Sequence, residues 1–453
     1  RRRMTFVEIQ SGLGAGLSTV KRTAIIGSGI SGASAAWAIS KTHDVTLYEA
    51  ADRPGGHTAT VDIDYDGTAV AVDTGFIVYN ELNYPNLTAL FSHLDVKTHA
   101  SDMSFSLSLD EGRLEWSGAT YASLFAQKRN MMSLPFLWML REIVRFNGNC
   151  VADRNTGVTK GKSIGDYLAL RNFSSRFRDD YLIPMAAAIW STPRIKMLDF
   201  PADAFITFFE NHRLINNERP DWRTVTGGSR NYLAKLLAAI SDSVRTGCAV
   251  TSVQRSGHHV YVTDETGVTQ MFDQAIIACH SDQALRLLKD ANEAERAIIG
   301  AIHFRPNRVI LHRDASLMPK RKRAWSAWNY LRTSRNGTEP EVAVTYWMNR
   351  LQGIDDDKPL FITLNPPREP AAGTVFGEWT YDHPQFDAHA ISAQQRLPEI
   401  QGRGGVWFAG AWTGFGFHED GLRSGLEAAE ALGALLPFPL QGSTIRRVLE
   451  AAE

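Results

Sequence analysis

Hydrophobic residues in this chain are grouped in three ways, and each grouping predicts a different element. Solid or nearly solid apolar runs occur at residues 24–26 and 45–48, with an alanine-rich segment at 33–39 between them. Short solid runs read as strands buried on both faces, so residues 22–50 predict strand, helix and second strand. Residues 250–253 and 260–263 instead alternate apolar and polar side chains with turn residues between, which predicts a strand pair. Residues 404–412 predict another buried strand that ends in a glycine turn. Beyond it Leu422, Leu426, Ala429 and Leu432 recur at helical spacing, so a helix is expected to open at Gly421. Residues 131–148 and 179–193 are long apolar and aromatic stretches, and residues 289–398 are rich in strand patterns and tryptophan.

The glycines after the first strand carry the first chemistry. Gly27 permits a tight turn, Gly29 lets a pyrophosphate approach the backbone, and Gly32 lets helix and sheet pack closely, with Ser31 in the same helix start. Glu49 ends the second strand, where it can accept hydrogen bonds from an adenosine ribose. This fingerprint points to a dinucleotide without choosing between NAD and FAD. A second Gly-Gly soon afterwards, in the stretch Arg53, Gly55, Gly56, His57 and Thr58, is typical of flavoproteins, where this loop meets the other half of FAD.

Composition changes the picture little. Of 453 residues 44 % are hydrophobic and 21 % charged, and the formal net charge is −1, so no nucleic-acid partner is expected. Three cysteines, Cys150, Cys248 and Cys279, give neither a disulfide framework nor metal-ligand spacing, so no metal site is expected. The basic N-terminal stretch is broken by Glu8, Gln10 and glycines and does not read as a secretory signal, and no apolar run is long enough to span a bilayer. The expected location is the cytoplasm.

With these motifs the chain resembles the flavin-containing amine oxidase and phytoene desaturase superfamily. The resemblance implies an α/β fold: a discontinuous Rossmann-like FAD-binding domain with an inserted α+β substrate domain. It implies FAD-domain segments 23–76, 222–288 and 399–440, substrate-domain segments 77–221 and 289–398, and tails at 1–22 and 441–453. It also implies that the Val250 backbone meets adenine and that Gly410 and Ala411 pass the ribityl chain. The helix start at Asp420, Gly421 and Leu422 would face the flavin pyrimidine edge. His57 stands where the superfamily usually has Arg, and Ala411 where it commonly has an acid. The cysteine that attaches FAD covalently in some amine oxidases is missing, so FAD is expected to be non-covalent. The stretches PMAAAIWSTP, FFENHRLINNERPDWRTVTGGSRNY, LMPKRKRAWSAWNY, VTYWMNRLQ and GFGFHEDGLRSG resemble one bacterial subgroup linked to enzymes that methylate or cyclopropanate phospholipid acyl chains. One member type, from furan fatty acid biosynthesis, desaturates a methylated acyl chain.

Three readings follow: an FAD-dependent oxidoreductase that desaturates a phospholipid-bound acyl chain, an amine oxidase, and a non-catalytic flavin-binding partner of a lipid-methylating enzyme. His418 is the first candidate for the proton acceptor, because imidazole titrates near neutral pH, and Glu419 the second. Trp190, His212, Trp379 and Tyr381 are candidate substrate contacts. The helix predicted at 131–146 and the basic cluster at 320–323 point to an anionic membrane surface as a further partner, which would make the protein peripheral on the inner membrane.

Overall fold

The computed structural model describes residues 20–215, 220–332 and 342–442, so most of both expected tails lies outside the described residues. The predicted first unit is present as strand Lys21–Ile26, helix Ile30–Ile39 and strand His43–Tyr48. Its two strands run parallel with Ala24 opposite Thr46, and Gln274–Ile277 flanks the first strand on its other side. Val244–Arg245 and Val406–Phe408 complete a five-stranded, wholly parallel sheet. A parallel sheet covered on both faces needs apolar residues at successive positions, which is why its strands read as solid runs. Ile25, Leu47 and Ile276 are all fully buried.

Helix Ile30–Ile39 has no polar face because every one of its residues is buried. The sheet covers one side, and the closing helix His418–Ala431 lies against another. Small residues make this approach possible: a Cβ at Gly425 would lie 2.1 Å from Ser31 O.

The predicted strand pair gains a third member, giving antiparallel Val250–Ser256, His259–Asp264 and Thr269–Phe272. A second large sheet has seven strands in the order Val375–Gln385, His303–His312, Phe361–Leu364, Ala343–Trp347, Trp328–Arg332, Phe105–Leu109 and Leu114–Ser117. Only the contact between Trp328–Arg332 and Phe105–Leu109 is parallel.

The long apolar stretches become helices, chiefly Leu134–Asn155, Ile183–Trp190 and Ala202–Asn211. Phe205, Phe208 and Phe209 of the last are buried with Trp190 and Phe200 in one aromatic core. Burying each such ring stabilises the fold by about 2–3 kcal/mol. The same rings lead toward the chemical end of the molecule, since Phe208 lies 5.4 Å from Phe415 and 5.2 Å from Phe417.

Candidate active site

The nucleotide loop is shaped by backbone. Gly27 turns at φ +100° and donates its N–H to Tyr48 O at 2.8 Å. A Cβ on Gly32 would lie 1.8 Å from Gly27 O, whereas one on Gly29 would meet nothing within 4 Å. Gly32 therefore serves packing, and the space beside Gly29 is open. Helix Ile30–Ile39 starts at that space with no side-chain cap and no acid in its first turn, which includes Ser31. Its free N–H groups and positive dipole end suit a pyrophosphate. Glu49 accepts from Ser28 N at 3.1 Å and Ala51 N at 2.8 Å, which fixes its carboxylate at the strand end and leaves lone pairs for a ribose. Gly55 N donates to Ser28 Oγ at 2.9 Å, and Arg53 ties its own loop by donating to Gly56 O and Thr58 O at 3.0 and 3.3 Å. Val250 follows Cys248 closely, and Cys248 N donates to Glu49 O at 2.9 Å, so the Val250 backbone stands beside the ribose acid.

The closing helix corrects the expected geometry. It starts at His418, three residues before Gly421. The Asp420 carboxylate accepts from Phe415 N at 3.0 Å and Phe417 N at 3.1 Å and pairs with Arg423, so Asp420 reaches back from inside the helix and is not its N-cap. Gly421 N donates to Phe417 O at 3.1 Å, and the Leu422 side chain is fully buried in the core. The free N–H groups at this end are therefore those of His418, Glu419 and Asp420, not those of Gly421 and Leu422. Gly410, at φ +154°, donates its N–H to Ser424 Oγ at 2.9 Å, and Ala411 packs toward Gly421.

Glu419 is tied to a second helix. Its carboxylate accepts from Asn86 N, Asn86 Nδ2 and Leu87 N at 2.9, 2.7 and 3.0 Å. Asn86 and Leu87 lie in the first turn of helix Pro85–His93, which has no side-chain cap of its own. Glu419 thus caps that helix from a distance, and burial pushes its pKa up to about 7. His418 stacks flat on Phe76 with ring centres 3.9 Å apart, and its Nε2 is bonded to the Tyr232 hydroxyl, which also bonds Thr58 Oγ1. Burial pushes the His418 pKa down to about 3.

A second set of side chains converges one layer away. The His57 ring lies 4.8 Å from Tyr381, 5.8 Å from His383 and 6.4 Å from His280. Phe76 N donates to His57 O at 2.8 Å, which joins this set to the ring stacked on His418. The Tyr381 hydroxyl meets Thr74 Oγ1 at 2.8 Å, and His383 Nδ1 meets Ser191 Oγ at 3.0 Å. Ser191 holds φ +50°, a conformation that non-glycine residues avoid unless their surroundings fix it. Burial, helped by the neighbouring imidazoles, pushes His57 down to about 3 and His383 to about 4, and His280 is lowered as well. All three rings are held toward the neutral form. Each neutral ring keeps one nitrogen lone pair, and each residue is half-buried. Among the described residues no group of three or more His, Cys, Asp or Glu is arranged to hold a metal ion.

With this geometry the family can be stated. A sequence model described as "Flavin containing amine oxidoreductase" matches residues 30–357. The chain belongs to that family. It is an FAD-dependent oxidoreductase of amine-oxidase-like α/β fold, and the open space beside Gly29, the uncapped helix and Glu49 fit the cofactor's ADP half. No curated protein sequence matches the chain. Putrescine oxidase bound to putrescine is 15 % identical and superimposes with a TM-score of 0.64, over 92 % of this chain and 99 % of that one. Cyclohexylamine oxidase from Brevibacterium oxydans is 17 % identical with a TM-score of 0.65, over 91 % and 98 % of the two chains. A CLA-producing fatty acid isomerase from P. acnes is 15 % identical with a TM-score of 0.59, also over 91 % and 98 %. These likenesses establish the shared fold.

Within this flavoenzyme the expected substrate contacts scatter. Tyr381 joins the histidine set. Trp379 shares its strand face but folds back over Gly377, away from that set. Trp190 belongs to the aromatic core, and its indole N–H is buried without an acceptor among the described residues. His212 stacks on Phe208 at 3.8 Å, and its Nδ1 bonds Phe208 O at 3.0 Å, so it is pinned at the end of its own helix. Sequence reading missed His280, His383, Tyr232, Thr74 and Ser191. One signal for His383 was there: it follows Trp379 and Tyr381 at period two, on the same face of strand Val375–Gln385.

Proposed function

We propose that the enzyme desaturates a long acyl chain, with a methyl-modified, monounsaturated phospholipid chain as substrate. The observation that carries this reading is the charge of the site. The charged or chargeable groups acting most strongly on His57 are His383, His280, His418 and Arg53, and the one acting on His383 is His280. Asp282 and Asp382 act on His280. None of the groups acting most strongly on His57 or His383 is a carboxylate, so a protonated amine brought between them would lose hydration without a strong counter-charge. An allylic methylene has no charge to compensate, and the half-buried rings of Phe415 and Phe417, in the loop that leads to His418, offer apolar surface. The solved neighbours named for amine oxidation and for fatty acid isomerisation bear on the fold, which accommodates both classes.

FAD, when bound, supplies the two-electron acceptor for a hydride. The chain has to supply a place for the accompanying proton, and His383 is suited to this. With Nδ1–H donating to Ser191 Oγ, its Nε2 carries a free lone pair. The methyl group on the substrate calls for a preceding methyl transfer, so we propose a lipid-methylating enzyme as the functional partner.

Incubation with methylated, monounsaturated phospholipid and an added electron acceptor is expected to yield a conjugated diene, seen as ultraviolet absorption and a two-hydrogen mass loss. Flavin reduced rapidly by a polyamine and never by lipid would replace this reading with amine oxidation. Flavin reduced by neither would make the protein a non-catalytic partner.

A further inference from the structure

Large apolar side chains are exposed together around the start of helix Leu134–Asn155. Tyr121 is 87 % exposed, Met132 88 %, Leu134 79 % and Trp138 55 %, with Met131 and Leu137 between them. The helix buries Phe136, Met139 and Phe146 on one face, whereas Leu134, Leu137, Trp138 and Arg141 share the other at helical spacing. Phe125 packs on Phe136 with ring centres 6.0 Å apart, which joins the short helix Tyr121–Leu124 to this surface.

The charges within the segment that carries the patch are of one sign. No Asp or Glu occurs between Ser117 and Glu142, and the charged residues there are Lys128, Arg129 and Arg141. Glu142 is turned inward, accepting from Ser174 N at 2.8 Å. The Arg141 guanidinium lies over the Trp138 ring at 5.6 Å. Helix Tyr121–Leu124 also lies against the turn Lys322–Ala324. Within that basic loop Arg321 pairs with the buried Glu115 and Lys320 faces Glu111, which leaves Lys322 and Arg323 exposed at the edge of the patch.

We propose that this surface seats on an anionic lipid bilayer. The apolar side chains enter the acyl boundary, while Lys128, Arg129, Arg141, Lys322 and Arg323 meet lipid phosphates. Arginine beside tryptophan suits this depth, because its stem packs in apolar surroundings while the guanidinium stays with water and phosphate. A second copy of the chain fits less well, since a self-complementary contact across this patch would set cations against cations. Among the described residues no helix is long and apolar enough to cross a membrane, so the contact is peripheral. The helix behind the patch packs on Ala202–Asn211, whose Phe208 reaches the loop before the closing helix. The surface would present the enzyme to bilayer acyl chains. That purpose rests on the acyl-chain reading, but the binding does not.

The test is sedimentation of the FAD-loaded full chain with vesicles of phosphatidylcholine alone and of an equimolar mixture with phosphatidylglycerol. Binding to the mixed vesicles, weakened by salt, is expected, with little to phosphatidylcholine alone. A Met132→Asp, Trp138→Ser double variant is expected to bind about tenfold more weakly or worse. Each cation reversed in Lys128→Glu and Arg129→Glu should lower partitioning at least about fivefold. These exposed changes should leave the Tm, the flavin spectrum and turnover of detergent-dispersed substrate unchanged. If the acyl-chain reading fails, turnover is absent while this binding pattern persists. Equal binding by the wild type and both variants overturns the proposal, as does a dimer in light scattering that the same substitutions dissociate.

Discussion

The two ends of the cofactor's neighbourhood are built from different materials. At the adenosine end the main chain shapes the loop, and side chains matter chiefly where they are missing: Gly32 is packed against Gly27 O, and Gly29 faces open space. At the chemical end side chains do everything, and they arrive from four distant stretches, at His57, His280, His383 and His418. A backbone site is written in consecutive residues. A convergent side-chain site is not.

The largest expected effect falls at the adenosine end. Gly32→Val drives methyl groups into backbone that cannot yield, and should cost about 3 kcal/mol or more, leaving no folded, FAD-loaded protein in a thermal melt. Gly29→Ala sharpens the contrast: its Cβ meets no protein atom, so the apoprotein Tm should hold while FAD affinity falls. At the chemical end His383→Ala should keep FAD and lower turnover by about two to four powers of ten, the usual range for a lost acid–base group. His418→Ala should lose less in the same assay, because His418 already shares its Nε2 with Tyr232. Stopped-flow flavin reduction separates the two.

Acid should undo the chemical end first. His57, His383 and His418 are held at about 3, 4 and 3 in the fold, below their ordinary value of 6.5. Each therefore contributes stability that is present above pH 6.5 and lost as pH falls through that value toward 4, because unfolding lets the rings take up protons. Urea titrations at stepped pH should show this decline. Glu419 works in the opposite direction: held at about 7 against an ordinary 4.5, its contribution is present below pH 4.5 and lost as pH rises through 7. Glu419→Gln should remove that slope and loosen the cap on helix Pro85–His93, at about 1–3 kcal/mol, with the smallest effect on turnover of the series.

The sequence made the strand–helix–strand unit legible because a buried parallel strand and a close helix leave solid apolar runs and glycines at fixed offsets. The closing helix was legible by its apolar period, but its start was misplaced by three residues. Asp420 looks like an N-cap by type, yet it reaches back to Phe417, and a phenylalanine at the cap gives no cue. Glu419 looked chemical because it adjoins His418. Its partners Asn86 and Leu87 lie more than three hundred residues away, and no local pattern announces them. His383 was within reach through the alternation of its strand, whereas His280 and Ser191 come from other elements and only folding brings them close.

The central claim is that the histidine-lined end takes hydrogens from an uncharged acyl chain and not from an amine. Anaerobic mixing of the FAD-loaded enzyme with methylated, monounsaturated phospholipid, and separately with putrescine, tests it most directly by the bleaching of flavin absorbance. The account predicts bleaching by the lipid, accompanied by conjugated-diene absorption and slowed strongly in His383→Ala, with none by putrescine. Bleaching by putrescine alone, at a rate that His383→Ala leaves unchanged, would contradict it.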